Sequence, residues 1–67
     1  MILNDKVLAT AMVRTGKTMA TIARETKLCT ATVSRGVHKQ RISIPAAHKI
    51  LTCLGVDPEG AILDWEV

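Results

Sequence analysis

The chain has almost no aromatic side chains. Its 67 residues include one Trp, no Phe and no Tyr. The core must therefore be built from Leu, Ile, Val, Met and Ala. Proteins that take single-stranded nucleic acid as their main ligand usually stack the bases on aromatic side chains. The composition therefore argues against single-stranded nucleic acid as the main ligand.

Cysteine is scarce as well, since the chain has only Cys29 and Cys53. Two thiols fall short of the disulfide framework of a small secreted domain, so we interpret both as small buried side chains in a reducing compartment. The N-terminus lacks the basic start of a signal peptide and the apolar runs are short, so we expect a cytoplasmic protein without a membrane segment. This length predicts one domain over residues 1–67, without a large substrate cleft.

Acidic residues are rare through most of the chain. Residues 6–49 hold all nine Lys and Arg but one acid, Glu25, whereas residues 57–67 hold four acids and no base. A basic body followed by an acidic end indicates a polyanion as the partner of the body. An ordinary solvated surface is the alternative interpretation, and the charge pattern alone leaves both open.

No segment alternates apolar and polar residues over the length of a strand, and nothing predicts a β-hairpin. Helix start and stop residues recur instead, with Asn4, Thr18, Ser43 and Asp57 in N-cap positions and Gly16 and Gly55 as stops. The expected fold class is all-α, a compact domain of five helices. The predicted helices cover residues 5–15, 19–26, 30–38, the segment between Ser43 and Gly55, and residues 58–65.

The second and third predicted helices are joined by a very short turn in the most basic part of the chain. This pattern, over about residues 18–38, is typical of a helix-turn-helix. The small Ala23 permits the two helices to approach closely, and Leu28 in the turn fills the space between them. Val33 and Val37 anchor the second helix on its inner side. Its outward residues are mostly small or polar and are free to enter a major groove.

Residues 19–37, MATIARETKLCTATVSRGV, resemble the helix-turn-helix of the Cro/repressor (XRE-type) family. The similarity continues through Lys39-Gln40-Arg41 and from Ser43 to Val56, and it covers roughly residues 4–64. The resemblance implies a lambda-repressor-like DNA-binding architecture.

Two positions depart from the family pattern. Lys27 stands in the turn where the family usually has Gly, so a non-glycine residue is expected to adopt a positive φ there. Gly36 stands where the family often has a larger apolar residue, so the third helix is expected to end early.

The resemblance also implies a function, which is sequence-specific binding of double-stranded DNA by a transcriptional regulator. Arg35 is the strongest candidate for reading a base, because Arg can bind O6 and N7 of guanine together. The residues implied to face base edges are Thr30, Ala31, Ser34, Arg35 and His38. For His38 the resemblance leaves both a base edge and a phosphate open. The residues implied to lie at DNA phosphates are Lys17, Thr18, Met19, Thr32, Lys39 and Arg41.

Metal-binding and catalytic patterns are weak by comparison. The spacings of Cys29, His38, His48 and Cys53 match no standard zinc site. The run Gly16-Lys17-Thr18 lacks the earlier glycine and the preceding strand of a phosphate-binding loop. We therefore expect no metal, no cofactor, no small-molecule ligand and no enzymatic activity.

The C-terminal end carries apolar residues that either close the core or form a contact between two copies. These are Ile62, Leu63 and Trp65. Two-fold homodimers are the commonest oligomers, so we expect a homodimer on double-stranded DNA. The favoured function is a repressor-like regulator of a mobile element or phage-type switch. The alternatives are an antitoxin that binds a partner protein through its C-terminal helix, and a domain of the same fold that makes only protein contacts.

Overall fold

The computed structural model describes residues 1–64, which form five helices and a two-stranded sheet. The helices are α1 (Asp5–Thr15), α2 (Met19–Thr26), α3 (Thr30–Val37), α4 (Ile44–Leu54) and α5 (Pro58–Ala61). The strands are β1 (Ile2–Leu3) and β2 (Ile62–Asp64). The described part of the chain is mainly helical and has the five helices that were expected, and the short sheet is an addition that was not predicted.

Four helices begin at the predicted N-caps. Asn4, Thr18, Ser43 and Asp57 each accept a hydrogen bond from a backbone N–H two or three residues later. Helix α3 differs, because Cys29 precedes it without a side-chain capping bond. Since a short helix of low intrinsic propensity is marginal in water, α3 depends on its packing against the core.

Three helices end at a residue with left-handed backbone geometry. Gly16 and Gly55 end α1 and α4 with φ of 72° and 67°. Lys27 ends α2 with φ of 61°, and its N–H donates to the carbonyl of Ala23. The positive φ expected at Lys27 is therefore confirmed. A side chain in this conformation costs roughly 1–2 kcal/mol relative to glycine.

The core is aliphatic and lies where α1, α2, α3 and α4 meet. Its largest fully buried side chains are Leu3, Leu8, Ile22, Val33, Ile50 and Leu51. Ala23 is buried, whereas Leu28 and Val37 are partly buried and pack against the core. The inward face predicted for α3 is thereby confirmed.

Gly36 is a buried position near the end of α3. A Cβ atom there would lie 3.1 Å from Cδ1 of Ile42 and 3.2 Å from Cδ1 of Ile50. The absence of a side chain lets α3 approach α4 and the preceding loop closely. Helix α3 ends at Val37, one residue earlier than predicted, with His38 as its C-cap.

The sheet joins the two ends of the described chain. β1 and β2 pair antiparallel, with Ile2 opposite Asp64 and Leu3 opposite Ile62. Helix α5 therefore ends at Ala61, and the prediction that it continues to residue 65 is wrong. Ile62 is extended, with φ of −107° and ψ of 120°, because strand pairing with β1 replaces a further helical turn.

Candidate nucleic-acid interface

The predicted base-reading residues share the outer face of α3. Thr30, Ala31, Arg35 and His38 are exposed and Ser34 is half-buried, whereas Val33 and Gly36 are buried on the opposite side. At helical spacing the five residues form two adjacent rows, one at 30, 34 and 38 and one at 31 and 35. The structure thus brings the predicted base-reading set together on one surface, which we call the α3 face.

Hydrogen bonds hold the His38 ring in place at the end of this face. Its Nδ1 lies 2.7 Å from the carbonyl oxygen of Ser34 and 3.2 Å from the Ser34 hydroxyl. The backbone N–H of His38 also donates to that carbonyl, at 3.0 Å. The carbonyl and hydroxyl groups of Ser34 therefore fix the orientation of the His38 ring on the α3 face.

A groove of about 400 Å³ lies between α3 and the loop that leads into α4, and we call it the α3–α4 groove. It is lined by Thr32, Arg35, Arg41, Ile42 and Ser43. It places the predicted base reader Arg35 beside two predicted phosphate contacts, Thr32 and Arg41. Ser43 was predicted only as a helix cap, and no local sequence pattern indicates that it shares a groove with two arginines.

Arg41 is paired across the surface with β2. Its Nη2 lies 3.2 Å from Oδ2 of Asp64, and the two side chains are 47% and 37% exposed. Because the pair is exposed, it contributes about 0–1 kcal/mol to stability. A phosphate group near Arg41 has to compete with the Asp64 carboxylate.

Lys17 lies in a different place from the other predicted phosphate contacts. Its Nζ donates to the Cys53 carbonyl at 2.8 Å and to Oε1 of Glu25 at 3.3 Å. The hydrogen bond with Glu25 is the main reason why the pKa of Lys17 is raised above its usual value. These contacts place Lys17 in a cleft of about 520 Å³ that also includes Lys27 and His48. The structure does not bring Lys17 to the α3–α4 groove.

The remaining predicted phosphate contacts have three different roles in the fold. Thr18 is exposed and caps α2, and its hydroxyl lies 3.1 Å from the hydroxyl of Thr21. Met19 is half-buried and packs against the core. Lys39 is exposed in the turn after α3, where its φ is 63°. Of these three, Lys39 is the charged residue, and it follows His38 directly in the chain.

The two cysteines differ in their surroundings. Cys29 is exposed, so the expectation that it is buried is wrong, whereas Cys53 is half-buried. The Sγ atom of Cys29 lies 3.0 Å from the hydroxyl of Thr32. Hydrogen bonding to Thr32 is the main reason why the pKa of Cys29 is lowered from its usual value. Cys29 is exposed because it occupies the N-cap position of α3, outside the packed face of the helix.

The residues predicted to contact a second copy have mixed exposure. Ile62 is half-buried and packs against the core, which matches the expectation that it closes the core. Leu63 is 51% exposed on β2. Trp65 lies outside the described residues.

Residues 1–64 contain no group of three or more His, Cys, Asp or Glu placed to hold a metal ion. None of the helices in this part of the chain is long and apolar enough to cross a membrane. Comparisons with protein-family models, curated proteins and solved structures find no match to this chain.

Proposed function

We propose that this chain binds double-stranded DNA sequence-specifically and regulates transcription. In this proposal α2 and α3 act as a helix-turn-helix of the Cro/repressor (XRE-type) kind, and α3 enters the major groove. The observation that carries the proposal is the position of Arg35. It is exposed on the α3 face and also lines the α3–α4 groove with Arg41.

The dimensions and residue sizes of α3 support this use. Its eight residues give a length of about 12 Å. Thr30, Ala31 and Ser34 are small, so the helix can approach base edges without a clash from long side chains. Arg35 is the long side chain among them and can bind O6 and N7 of guanine together, a contact that discriminates by about 1–3 kcal/mol.

The charges around α3 supply the phosphate contacts. Lys39 is exposed directly after the helix, and Arg41 follows on the edge of the α3–α4 groove. These side chains fix the protein on the duplex but do not by themselves read sequence. Lys17 is less suited to this role, because its ammonium group already contacts Glu25 and Cys53.

The proposed regulator is a cytoplasmic homodimer that acts as a repressor of a mobile element or phage-type switch. A two-fold dimer presents two α3 helices to half-sites about one helical turn apart. Of the predicted contact residues that the structure describes, Leu63 on β2 is the exposed one, at 51%, and it is the one we assign to a contact with a second copy.

An antitoxin is the second candidate function, and the exposure of Leu63 favours it equally. The contact with a partner protein would then involve β2, since α5 ends at Ala61. Co-purification from the native operon separates the two candidates. A stable complex with a neighbouring gene product supports the antitoxin, and a homodimer alone supports the stand-alone regulator.

The test of DNA binding is selection from a random duplex library with the native protein, Arg35→Ala and a matched control, Arg14→Ala. Arg14 is an exposed arginine on α1 that lines other clefts. We expect a palindromic motif for the native and control proteins, and loss of preference at one base pair per half-site for Arg35→Ala. Binding without any motif, lost between about 50 and 200 mM salt, would mean phosphate attraction alone and would overturn the proposal.

A further inference from the structure

The hydrogen bonds of His38 determine which of its ring nitrogens carries the proton. A backbone carbonyl oxygen can only accept a hydrogen bond. Because the contact of Nδ1 with the Ser34 carbonyl oxygen, at 2.7 Å, is shorter than its contact with the Ser34 hydroxyl, at 3.2 Å, we assign the hydrogen to Nδ1. The neutral imidazole has one N–H, so its Nε2 is then an acceptor.

This assignment leaves Nε2 as the polar atom that His38 offers to a ligand. The side chain is exposed, and its two contacts with Ser34 both use Nδ1. A phosphate oxygen is an acceptor and cannot bond to a second acceptor. In the major groove the donors on base edges are N6 of adenine and N4 of cytosine.

We propose that His38 reads an exocyclic amino group, N6 of adenine or N4 of cytosine, through Nε2 as a hydrogen-bond acceptor. The inference rests on the proposed function, because it requires α3 to lie in the major groove. It assigns His38 to a base edge and excludes it from the phosphates when the ring is neutral.

Arg35 and His38 then have complementary chemistry on the same surface. They are three residues apart, Arg35 in α3 and His38 at its C-cap, so their side chains are neighbours at the end of the α3 face. Arg35 offers only donors, which suit the O6 and N7 acceptors of guanine, and His38 offers an acceptor. The α3 face therefore favours a site in which a guanine lies close to an adenine or a cytosine.

The experiment is library selection from random duplex DNA at about pH 8.5, because the inference concerns the neutral ring. Native protein is compared with His38→Ala and His38→Lys, and His48→Ala is the matched control. His48 is the other histidine and is exposed on α4, in the cleft that contains Lys17. We expect the native protein and the His48→Ala control to prefer adenine or cytosine at one position of the motif. His38→Ala should have no preference at that position, and His38→Lys should prefer guanine or thymine there.

Base analogues provide a second measurement on the selected duplex. Purine in place of the adenine, or 2-pyrimidinone in place of the cytosine, removes only the amino group. We expect the native protein to lose about two- to tenfold in affinity, as for one hydrogen bond. His38→Ala should bind the two duplexes equally, which separates the contact from any effect on duplex stability.

The outcomes distinguish this inference from the proposed function. A native motif that is unchanged in His38→Ala would overturn the role of His38 and leave DNA binding in place. If His38→Ala lost affinity equally for all sequences, His38 would be assigned to the phosphates, and the inference that it reads a base would also be overturned. Failure of the native protein to enrich any motif would overturn both proposals.

Discussion

Gly36 and Ile42 approach so closely that a Cβ atom on Gly36 would lie 3.1 Å from Cδ1 of Ile42. The same Cβ would lie 3.2 Å from Cδ1 of Ile50, so the space is closed from two directions. We expect Gly36→Val to lower the free energy of unfolding by about 1–3 kcal/mol through overpacking. Urea unfolding followed by circular dichroism measures the change.

A second glycine provides the control for this substitution. Gly60 in α5 has no atom within 4 Å of the Cβ position and has no positive φ. We expect Gly60→Ala to leave stability unchanged or to raise it by up to about 1 kcal/mol. Equal losses in the two variants would show that packing around Gly36 is not the cause.

Lys27 ends α2 in the left-handed conformation, with φ of 61°. Because a Cβ atom is strained there, we expect Lys27→Gly to raise the free energy of unfolding by about 0.5–1 kcal/mol. Lys49→Gly is the matched control, since Lys49 is exposed within α4. It should lower stability by about 1 kcal/mol. A lower free energy of unfolding in both variants would show that the backbone at Lys27 is not strained.

The lowered pKa of Cys29 gives a prediction about pH dependence. Because the hydroxyl of Thr32 bonds to the sulfur, the thiolate of Cys29 forms at a lower pH than an ordinary thiol. We expect alkylation of Cys29 by iodoacetamide to begin at a lower pH in Cys53→Ser protein than in Cys53→Ser/Thr32→Val protein. The measurement is the alkylation rate as a function of pH. Coincident profiles would rule out a role for Thr32.

Lys39 gives a prediction about salt dependence. If Lys39 contacts a phosphate, Lys39→Gln should weaken DNA binding equally for all sequences and reduce the slope of log K against log salt by about 1. Lys6→Gln is the control, because Lys6 is exposed on α1 in a cleft with Val7 and Val56. Fluorescence anisotropy at several salt concentrations measures both slopes. Equal salt slopes for the two variants would show that Lys39 makes no phosphate contact.

The sequence predicted the features that depend on neighbouring residues. Thr18 caps α2 and Ser43 caps α4 through backbone groups only three residues away. The inward position of Val33 likewise follows from helical spacing, although α3 begins without a side-chain cap. The outer face of α3, with Arg35 and His38, is then fixed without knowledge of the rest of the fold.

Features that depend on distant residues could not be predicted in this way. Strands of two and three residues are too short to show alternation, and β1 forms because β2 lies beside it. Lys17 reaches the Cys53 carbonyl across 36 positions in sequence. No spacing pattern indicates that contact, and the phosphate role that the resemblance implies for Lys17 was assigned without it.

The pairing of Ile2 with Asp64 has a consequence for the order of folding. Closing a loop costs more chain entropy as the loop lengthens, and this pairing closes almost the whole described chain. Contacts of α2 with α3 and α4 close much shorter loops, so the helices can assemble before the strands meet. We therefore expect the sheet to form last, when β1 brings the fully buried Leu3 against a helical core that is already assembled.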